Sequence, residues 1–319
     1  MGQPTPSDVH VDAALTDFSL AIIQDDANFQ AGSAPVKPVM HKTDSYHIFT
    51  SGDWLRDDAV QKRAAGQGAP RSGFTLSNTT YDCTPWWTAV PLDELVRANS
   101  DPSVPIDEVA ARLVTHRMLI RRERLYATAF LNTDSVWATD VTGGTDFTKW
   151  DDAASDPEKD IATGKRTVLI GTGLEPNVLE VSYDVHIALK RHPMIKDRIK
   201  HTSSESITAA IIARFFEVDE YRVYKAIYNT AAEGATVSTS FVMGKHAVLT
   251  YQDGNPGIMT PTANALFSWS GLTGMNDAGV RIDQYYDDDK KEDVVRGEFA
   301  FDMKVTGSTL GYRFKTAVA

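Results

Sequence analysis

A chain of 319 residues with 42% hydrophobic and 24% charged residues can bury a core and is long enough for one large domain or two smaller ones. Its net charge of −11 disfavours a dedicated nucleic-acid binder, whose affinity comes from a basic surface that releases counterions from phosphates. Its one cysteine, Cys83, excludes an intrachain disulfide and a cysteine-based zinc site and fits a reducing compartment.

Residues 1–45 read as an arm. Pro4, Pro6, Pro35 and Pro38 punctuate it, and the apolar piece Phe18-Ser19-Leu20-Ala21-Ile22-Ile23 suits docking on a partner. Met1-Gly2-Gln3-Pro4 lacks the basic and apolar regions of a secretory signal. No stretch is apolar over the roughly 18 residues that a membrane span needs, so no membrane partner is expected.

Residues 46–90 read as a long β-hairpin with a mobile tip. Tyr46-His47-Ile48-Phe49 opens it, and Phe74-Thr75-Leu76 and Trp86-Trp87-Thr88-Ala89-Val90 close it, all rich in strand formers. Between them runs a charged, Gly-rich insert that includes Gly66-Gln67-Gly68-Ala69-Pro70. A hairpin alone is marginal in water, so its faces need covering.

Residues 103–131 give the clearest helix, roughly 40 Å long at about 1.5 Å per residue. Ser103 can cap it, Pro105 suits its first turn, and Asp107 and Glu108 complement its N-terminal dipole. Ile106, Val109, Ala110, Leu113 and Ile120 mark its apolar stripe. Arg112, Arg117, Arg121, Arg122 and Arg124 crowd it against the single Glu123. That patch is either an ion-paired face meeting acidic neighbours, which the acidic whole favours, or a local nucleic-acid contact.

Residues 132–175 read as loop-rich around the apolar run Thr167-Val168-Leu169-Ile170. A strand over 176–181 and a short helix over 184–191, stopped by Pro193, follow. A second amphipathic helix spans 205–216, with Ile207, Ala210, Ile211 and Phe215 on one face. Strands are expected over 221–228, 241–243 and 247–251. The stretch 280–314 reads as strands broken by the acidic turn Asp287-Asp288-Asp289-Lys290-Lys291. The order is α+β, without regular β-α-β winding.

The chemistry-bearing patterns are weak. Thr163-Gly164-Lys165-Arg166-Thr167 looks like the end of a phosphate loop, but Arg166 stands where Ser or Thr is required and Lys159 where the first Gly belongs. Gly171-Thr172-Gly173 lacks the third glycine of a dinucleotide fingerprint, whose place Pro176 holds. His186 and His192 are spaced wrongly for one helical face. Asp287-Asp288-Asp289 lacks the alternation, central Gly and terminal Glu of a calcium loop. Asn78-Thr79-Thr80 is a glycosylation sequon by pattern alone. No nucleophile, base and orienter share a local signature, so no catalytic, cofactor-binding or metal residue is assigned and no enzyme is expected.

One ordered series carries a resemblance. It runs from Pro176-Asn177-Val178-Leu179 through Asp184-Val185, Ala188-Leu189-Lys190-Arg191-His192-Pro193-Met194-Ile195-Lys196 and Ala213-Arg214-Phe215-Phe216 to Tyr221-Arg222-Val223-Tyr224-Lys225-Ala226-Ile227-Tyr228. Val242-Met243-Gly244-Lys245, Phe267-Ser268-Trp269 and Asp302-Met303-Lys304-Val305-Thr306 extend it. The series resembles the major capsid proteins of tailed bacteriophages, over roughly residues 45–319 and weakly before 170.

The resemblance implies the Hong Kong 97-type capsid fold, with an N-terminal arm (1–45) and an extended loop (46–90). A peripheral domain (91–154) would hold the spine helix (103–131), an axial domain would span 155–270, and residues 271–319 would return to the peripheral domain. It implies a structural protein that assembles into the hexamers and pentamers of an icosahedral shell around double-stranded DNA, made in the bacterial cytoplasm and residing in the virion. Portal and decoration proteins are implied partners. The start of the hairpin near Tyr46 leaves no room for a fused scaffolding domain, so a separate scaffolding protein is expected. Flexible joins such as Gly143-Gly144 would allow changes of curvature. The alternative is a bacterial nanocompartment shell, encapsulin-like, on the same fold.

Overall fold

The structure, a computed structural model, describes residues 24–319 apart from positions 50, 58–59, 63–64, 67, 69–70, 100–105, 200–207 and 258–259. The apolar arm piece at 18–23, the helix-start residues Ser103 and Pro105, part of the hairpin tip and Ile207 lie outside the described residues.

In chain order the strands are β1 (Val36–Val39), β2 (Thr43–Phe49), β3 (Leu76–Asp82), β4 (Thr84–Asp93), β5 (Thr139–Thr142), β6 (Val178–Ser182), β7 (Glu220–Tyr224), β8 (Ile227–Asn229), β9 (Thr239–Phe241), β10 (Ala247–Thr250), β11 (Asn264–Trp269), β12 (Val280–Asp287), β13 (Glu292–Val305) and β14 (Gly311–Lys315). The helices are α1 (Ser51–Trp54), α2 (Glu94–Ala98), α3 (Ile106–Tyr126), α4 (Pro157–Thr172), α5 (Tyr183–Arg191), α6 (Pro193–Ile199) and α7 (Ala209–Phe215).

The first large sheet is organised by β13. It pairs antiparallel with β12 across the turn after Asp287, with β4 from Glu292↔Asp93 to Phe301↔Thr84, and with β11 from Phe301 to Val305. β1 adds to β11 in parallel. Helix α3 lies on one face, where Ala110, Val114 and Met118 pack on Val295, Phe299, Phe301 and Leu266, with Trp86 and Val90 alongside. The helix can approach so closely because Gly297 presents no side chain beneath it.

The second sheet runs β5-β14-β10-β6-β7. Its central strands β14, β10 and β6 are buried on both faces, so they lack the apolar–polar alternation of half-exposed strands. Leu179, Val181, Ala247, Leu249, Tyr312 and Phe314 line one face, covered by Ile161 and Val168 of α4, Val185 and Leu189 of α5, Ile195 and Ile212. The end of α3 and the π-helical turn Ala127–Asn132 cover the other through Tyr126, Phe130 and Leu131, joined by Trp137.

Several expectations need correction. Residues 157–172 are a helix, not loop. Asp156 accepts the Lys159 N–H as its N-cap, Pro157 opens the first turn, and Gly173 closes it at φ 76°. The apolar run Thr167-Val168-Leu169-Ile170 is part of this helix, in which Ile161, Gly164, Lys165 and Val168 fall on one buried face. Pro193 stops α5 and also starts α6. The expected strand over 221–228 is two, β7 and β8, in different sheets. Strand β14 sits inside the second sheet rather than with β12 and β13, and β11 sits in the first sheet, because the chain crosses between sheets after Thr250 and again after Val305. β4 likewise belongs to the sheet under α3, so the free hairpin is β2–β3 alone. Gly143-Gly144 is a pinned turn. The Gly143 N–H donates to Lys315 O at 2.9 Å, and a Cβ there would strike the Thr316 carbonyl.

Candidate assembly interface

The β2–β3 ribbon pairs Thr43↔Asp82 through Phe49↔Leu76. Its composition is polar on both faces, with Ser45, His47, Asn78, Thr79 and Thr80 all exposed. Among the described residues it is tied down from its base to its midpoint. Tyr46 and Tyr81 pack on Phe267 at ring separations of 5.2 and 4.8 Å, the second pair stacked. The Cys83 N–H donates to Lys42 O, and the Asp82 N–H donates to Asp302 Oδ2 at 2.8 Å. Toward the far end Phe74 and Leu76 are exposed, and the Thr75 N–H donates to Asp53 Oδ2 at 2.7 Å. A two-stranded ribbon whose faces are mostly wet does not stabilise itself, so this anchored, largely uncovered ribbon is the principal candidate contact.

Further apolar surface lies on the first sheet and its helices. Trp87 is 76% exposed on the face of β4 turned away from α3. Leu95 and Val96 of α2 are exposed, as are Val109 (54%) and Leu113 (39%) of α3. The predicted stripe on α3 thus divides. Ala110, Val114 and Met118 face the sheet, whereas Val109 and Leu113 face outward. Where such groups adjoin they add to the candidate contact surface.

The arginines of α3 are divided as well. Arg112 pairs with Glu108 at 2.8 Å. Arg121 lies over Trp86 and Arg124 over Tyr228, each 4.3 Å from the ring centre. Arg122 sits beside Gly32 of the arm. The patch is therefore largely engaged within the subunit.

A buried polar junction joins the two halves. Glu180 Oε1 accepts Tyr126 OH and Tyr224 OH at 2.9 Å each and Arg222 Nη1 at 3.4 Å. Asn264 Nδ2 donates to Tyr126 OH at 3.0 Å, and Arg222 also reaches Gln252 and Glu220. One turn back on α3, Glu123 accepts the Gln30 and Ala31 N–H groups at 3.0 and 2.8 Å. Burial raises the pKa of both carboxyls, that of Glu123 to about 7. On the same buried face Arg313 closes the end of the helical segment, donating to Asn132 O and Thr133 O and pairing with Asp134 and Asp140. The sequence alone marks Glu123 only as the acid among the α3 arginines and gives Glu180, Tyr126, Asn264 and Arg313 no role. The available signal was a glutamate inside the apolar strand Val178-Leu179-Glu180-Val181, which needs buried partners.

The weak motifs resolve into structure. Gly164 and Lys165 lie inside α4, Gly164 against Leu249, Tyr312 and Phe314, and Lys165 on Glu175 and the Glu217 carbonyl. Gly171 and Gly173 end that helix. His186 bonds Tyr221 and His192 bonds Ser155, so the two are not brought together. Asp287 caps the N–H groups of Asp289 and Lys290 in the β12–β13 turn. Among the described residues no group of three or more His, Cys, Asp or Glu could hold a metal, and no helix is long and apolar enough to cross a membrane. Burial pushes the Cys83 thiol up to about 12, which leaves it a poor nucleophile.

Known folds match this arrangement over nearly the whole chain. A phage-related protein from Bordetella bronchiseptica RB50 superposes with a TM-score of 0.68 at 23% identity, covering 92% of this chain and 94% of that one. The capsid of Myoviridae phage XM1 gives 0.55 at 11%, covering 98% of each chain. The SrpI encapsulin complex from Synechococcus elongatus PCC 7942 also gives 0.55 at 11%, covering 99% and 96%. The chain has the Hong Kong 97-type capsid fold.

In sequence it is similar to a curated protein described as a major capsid protein, from Burkholderia phage BcepMu. The two are 27% identical over 138 residues, which are 43% of this chain and 44% of that protein. The match thus spans less than half the length of that relative. No family profile matches the chain.

Proposed function

We propose that the chain is the major capsid protein of a tailed bacteriophage, a non-catalytic subunit of the virion shell. The observation that carries this is the β2–β3 ribbon, anchored at Phe267 through Tyr46 and Tyr81 and exposed over most of its other described side chains. A neighbouring subunit would cover the exposed part of such a ribbon. In this reading the first sheet with α3 forms the peripheral part, the second sheet forms the axial part, and residues 24–34 belong to the arm. The subunits build hexamers and pentamers of an icosahedral shell around double-stranded DNA, together with a scaffolding protein, a portal and decoration proteins.

A bacterial nanocompartment shell is the second reading, because the encapsulin superposes as well as the phage XM1 capsid does. The sequence match to a phage protein favours the first. Sedimentation of the purified particles followed by analysis of their contents separates the two. Large particles filled with DNA support the phage shell, small particles filled with protein support the nanocompartment, and a small soluble oligomer contradicts both.

A further inference from the structure

Strand β12 ends the first sheet, beside β13. The Asn276 N–H donates to Val280 O at 3.2 Å, and Asn276 Oδ1 accepts the Val280 N–H at 2.9 Å. The main-chain groups of Val280 therefore face away from β13. Antiparallel pairing alternates, so those of Ile282, Gln284 and Tyr286 face outward too. Among the described residues no backbone partner meets them. Ile282 and Tyr286 are 47% and 49% exposed, and Gln284 between them is exposed as well.

The edge formed by β4 is built differently. The Ala300 N–H donates to Gly279 O, on the β12 side, so Pro85 opposite Ala300 turns its main-chain groups to the open edge. Pro91 has the same parity and does so too. Proline has no N–H to offer there, which blunts that edge against a further strand. The sequence of β12, Val280-Arg281-Ile282-Asp283-Gln284-Tyr285-Tyr286-Asp287, has no proline, glycine or lysine. It is also held straight from behind, with Arg281 on Glu298 and Asp283 on Arg296, both at 2.6 Å. A rigid edge rich in strand formers and left unblunted is a template for another strand.

The charges on β12 select which strand. We propose that β12 pairs antiparallel with β12 of a second copy, about a two-fold axis at Gln284, so that the first sheet continues from one subunit into the next. This register sets Ile282 opposite Tyr286 of the second copy and Arg281 opposite its Asp287, and the symmetry repeats each pair. Outward-facing groups meet outward-facing groups at every step, as the pleat requires. The adjacent registers fail on charge. Centring on Asp283 sets that carboxylate against its own copy, and centring on Tyr285 sets Asp283 against Asp287. The contact is separate from the β2–β3 ribbon and belongs to the chain whether or not it builds a shell.

Disulfide trapping in the full chain tests this, by mild oxidation of every size fraction of the preparation. The parent is the blank, since its one cysteine, Cys83, is buried. In the proposed register the two Gln284 Cα atoms lie about 5.5 Å apart, within disulfide reach. Two Ile282 or two Tyr286 residues lie roughly 13 Å apart, out of reach. Gln284→Cys should therefore give at least about fivefold more linked dimer than Ile282→Cys or Tyr286→Cys alone. Ile282→Cys and Tyr286→Cys produced together should link to each other. Gln284→Pro in that mixed pair removes only an outward N–H, so the subunit should fold while the link is lost. Equal linking by all three single variants, or no linking by Gln284→Cys in any fraction, overturns the pairing. The cysteine series decides even if the proline variant fails to fold.

Discussion

Met118 of α3 rests directly on Gly297 of β13: a Cβ added at 297 would lie within contact-forbidding range of Met118 Sδ and 2.5 Å from Val114 Cγ1. The long helix and its sheet are thus spaced by the absence of one methyl group. Gly297→Ala should push α3 off the sheet and cost about 1–3 kcal/mol. Gly171 is the opposite case, at an exposed position near the end of α4 with nothing within 4 Å of an added Cβ. Gly171→Ala should be neutral or stabilising by up to about 1 kcal/mol. Chemical denaturation of the two variants checks both signs.

The stacked pair Tyr81–Phe267 predicts a separable hairpin. Tyr81→Ala should release the ribbon while the two large sheets stay intact, so amide protection over Thr43–Phe49 is lost with little change in far-ultraviolet circular dichroism. Assembly should fail although the subunit folds. Normal assembly with an unprotected ribbon would remove the ribbon from the interface.

At the buried junction the two partners should differ. Arg222→Met leaves Glu180 as an uncompensated buried carboxylate and should cost about 3–5 kcal/mol. Glu180→Gln leaves Arg222 with Glu220 and Gln252 and should cost about 1–2 kcal/mol, the scale of a weakened hydrogen-bond set. Equal losses in denaturation experiments would contradict this arrangement.

His246 gives a pH dependence of its own. Its Nδ1 accepts the Thr316 N–H at 3.1 Å, and burial, then Arg313, lowers its pKa from 6.5 to about 4. The unfolded chain therefore binds the proton first. This contribution to stability is full above about pH 6.5 and is lost as pH falls toward about 4. His246→Asn keeps an acceptor for Thr316 without titrating, so the parent's denaturation midpoint should fall more steeply than the variant's across that window. Parallel curves would exclude the effect.

What the sequence disclosed follows from how local each signal is. The ribbon and α3 are marked by strand formers around a Gly-rich insert and by a helical run, and both form. Helix α4 lies in a stretch that reads as loop-rich, although Asp156-Pro157 and Gly173 are helix start and stop signals present in the sequence. The placement of β14 between β5 and β10 depends on pairing with residues about 65 to 175 positions away, which no local pattern encodes. The stripe on α3 mixed two faces because Val109 and Leu113 are as apolar as the residues beside them. An outward-facing apolar side chain cannot be told from a core one by hydrophobicity alone.

The central claim is that the uncovered ribbon exists to be covered by another copy of the chain. Electron microscopy of the size-fractionated protein, produced in bacteria with a candidate scaffolding protein, tests this most directly. The account predicts closed icosahedral shells or curved fragments built of hexamers and pentamers, with the β2–β3 ribbon of each subunit lying on a neighbour. A uniform small oligomer that never forms a curved lattice, or shells in which the ribbon stands free in solvent, would contradict it.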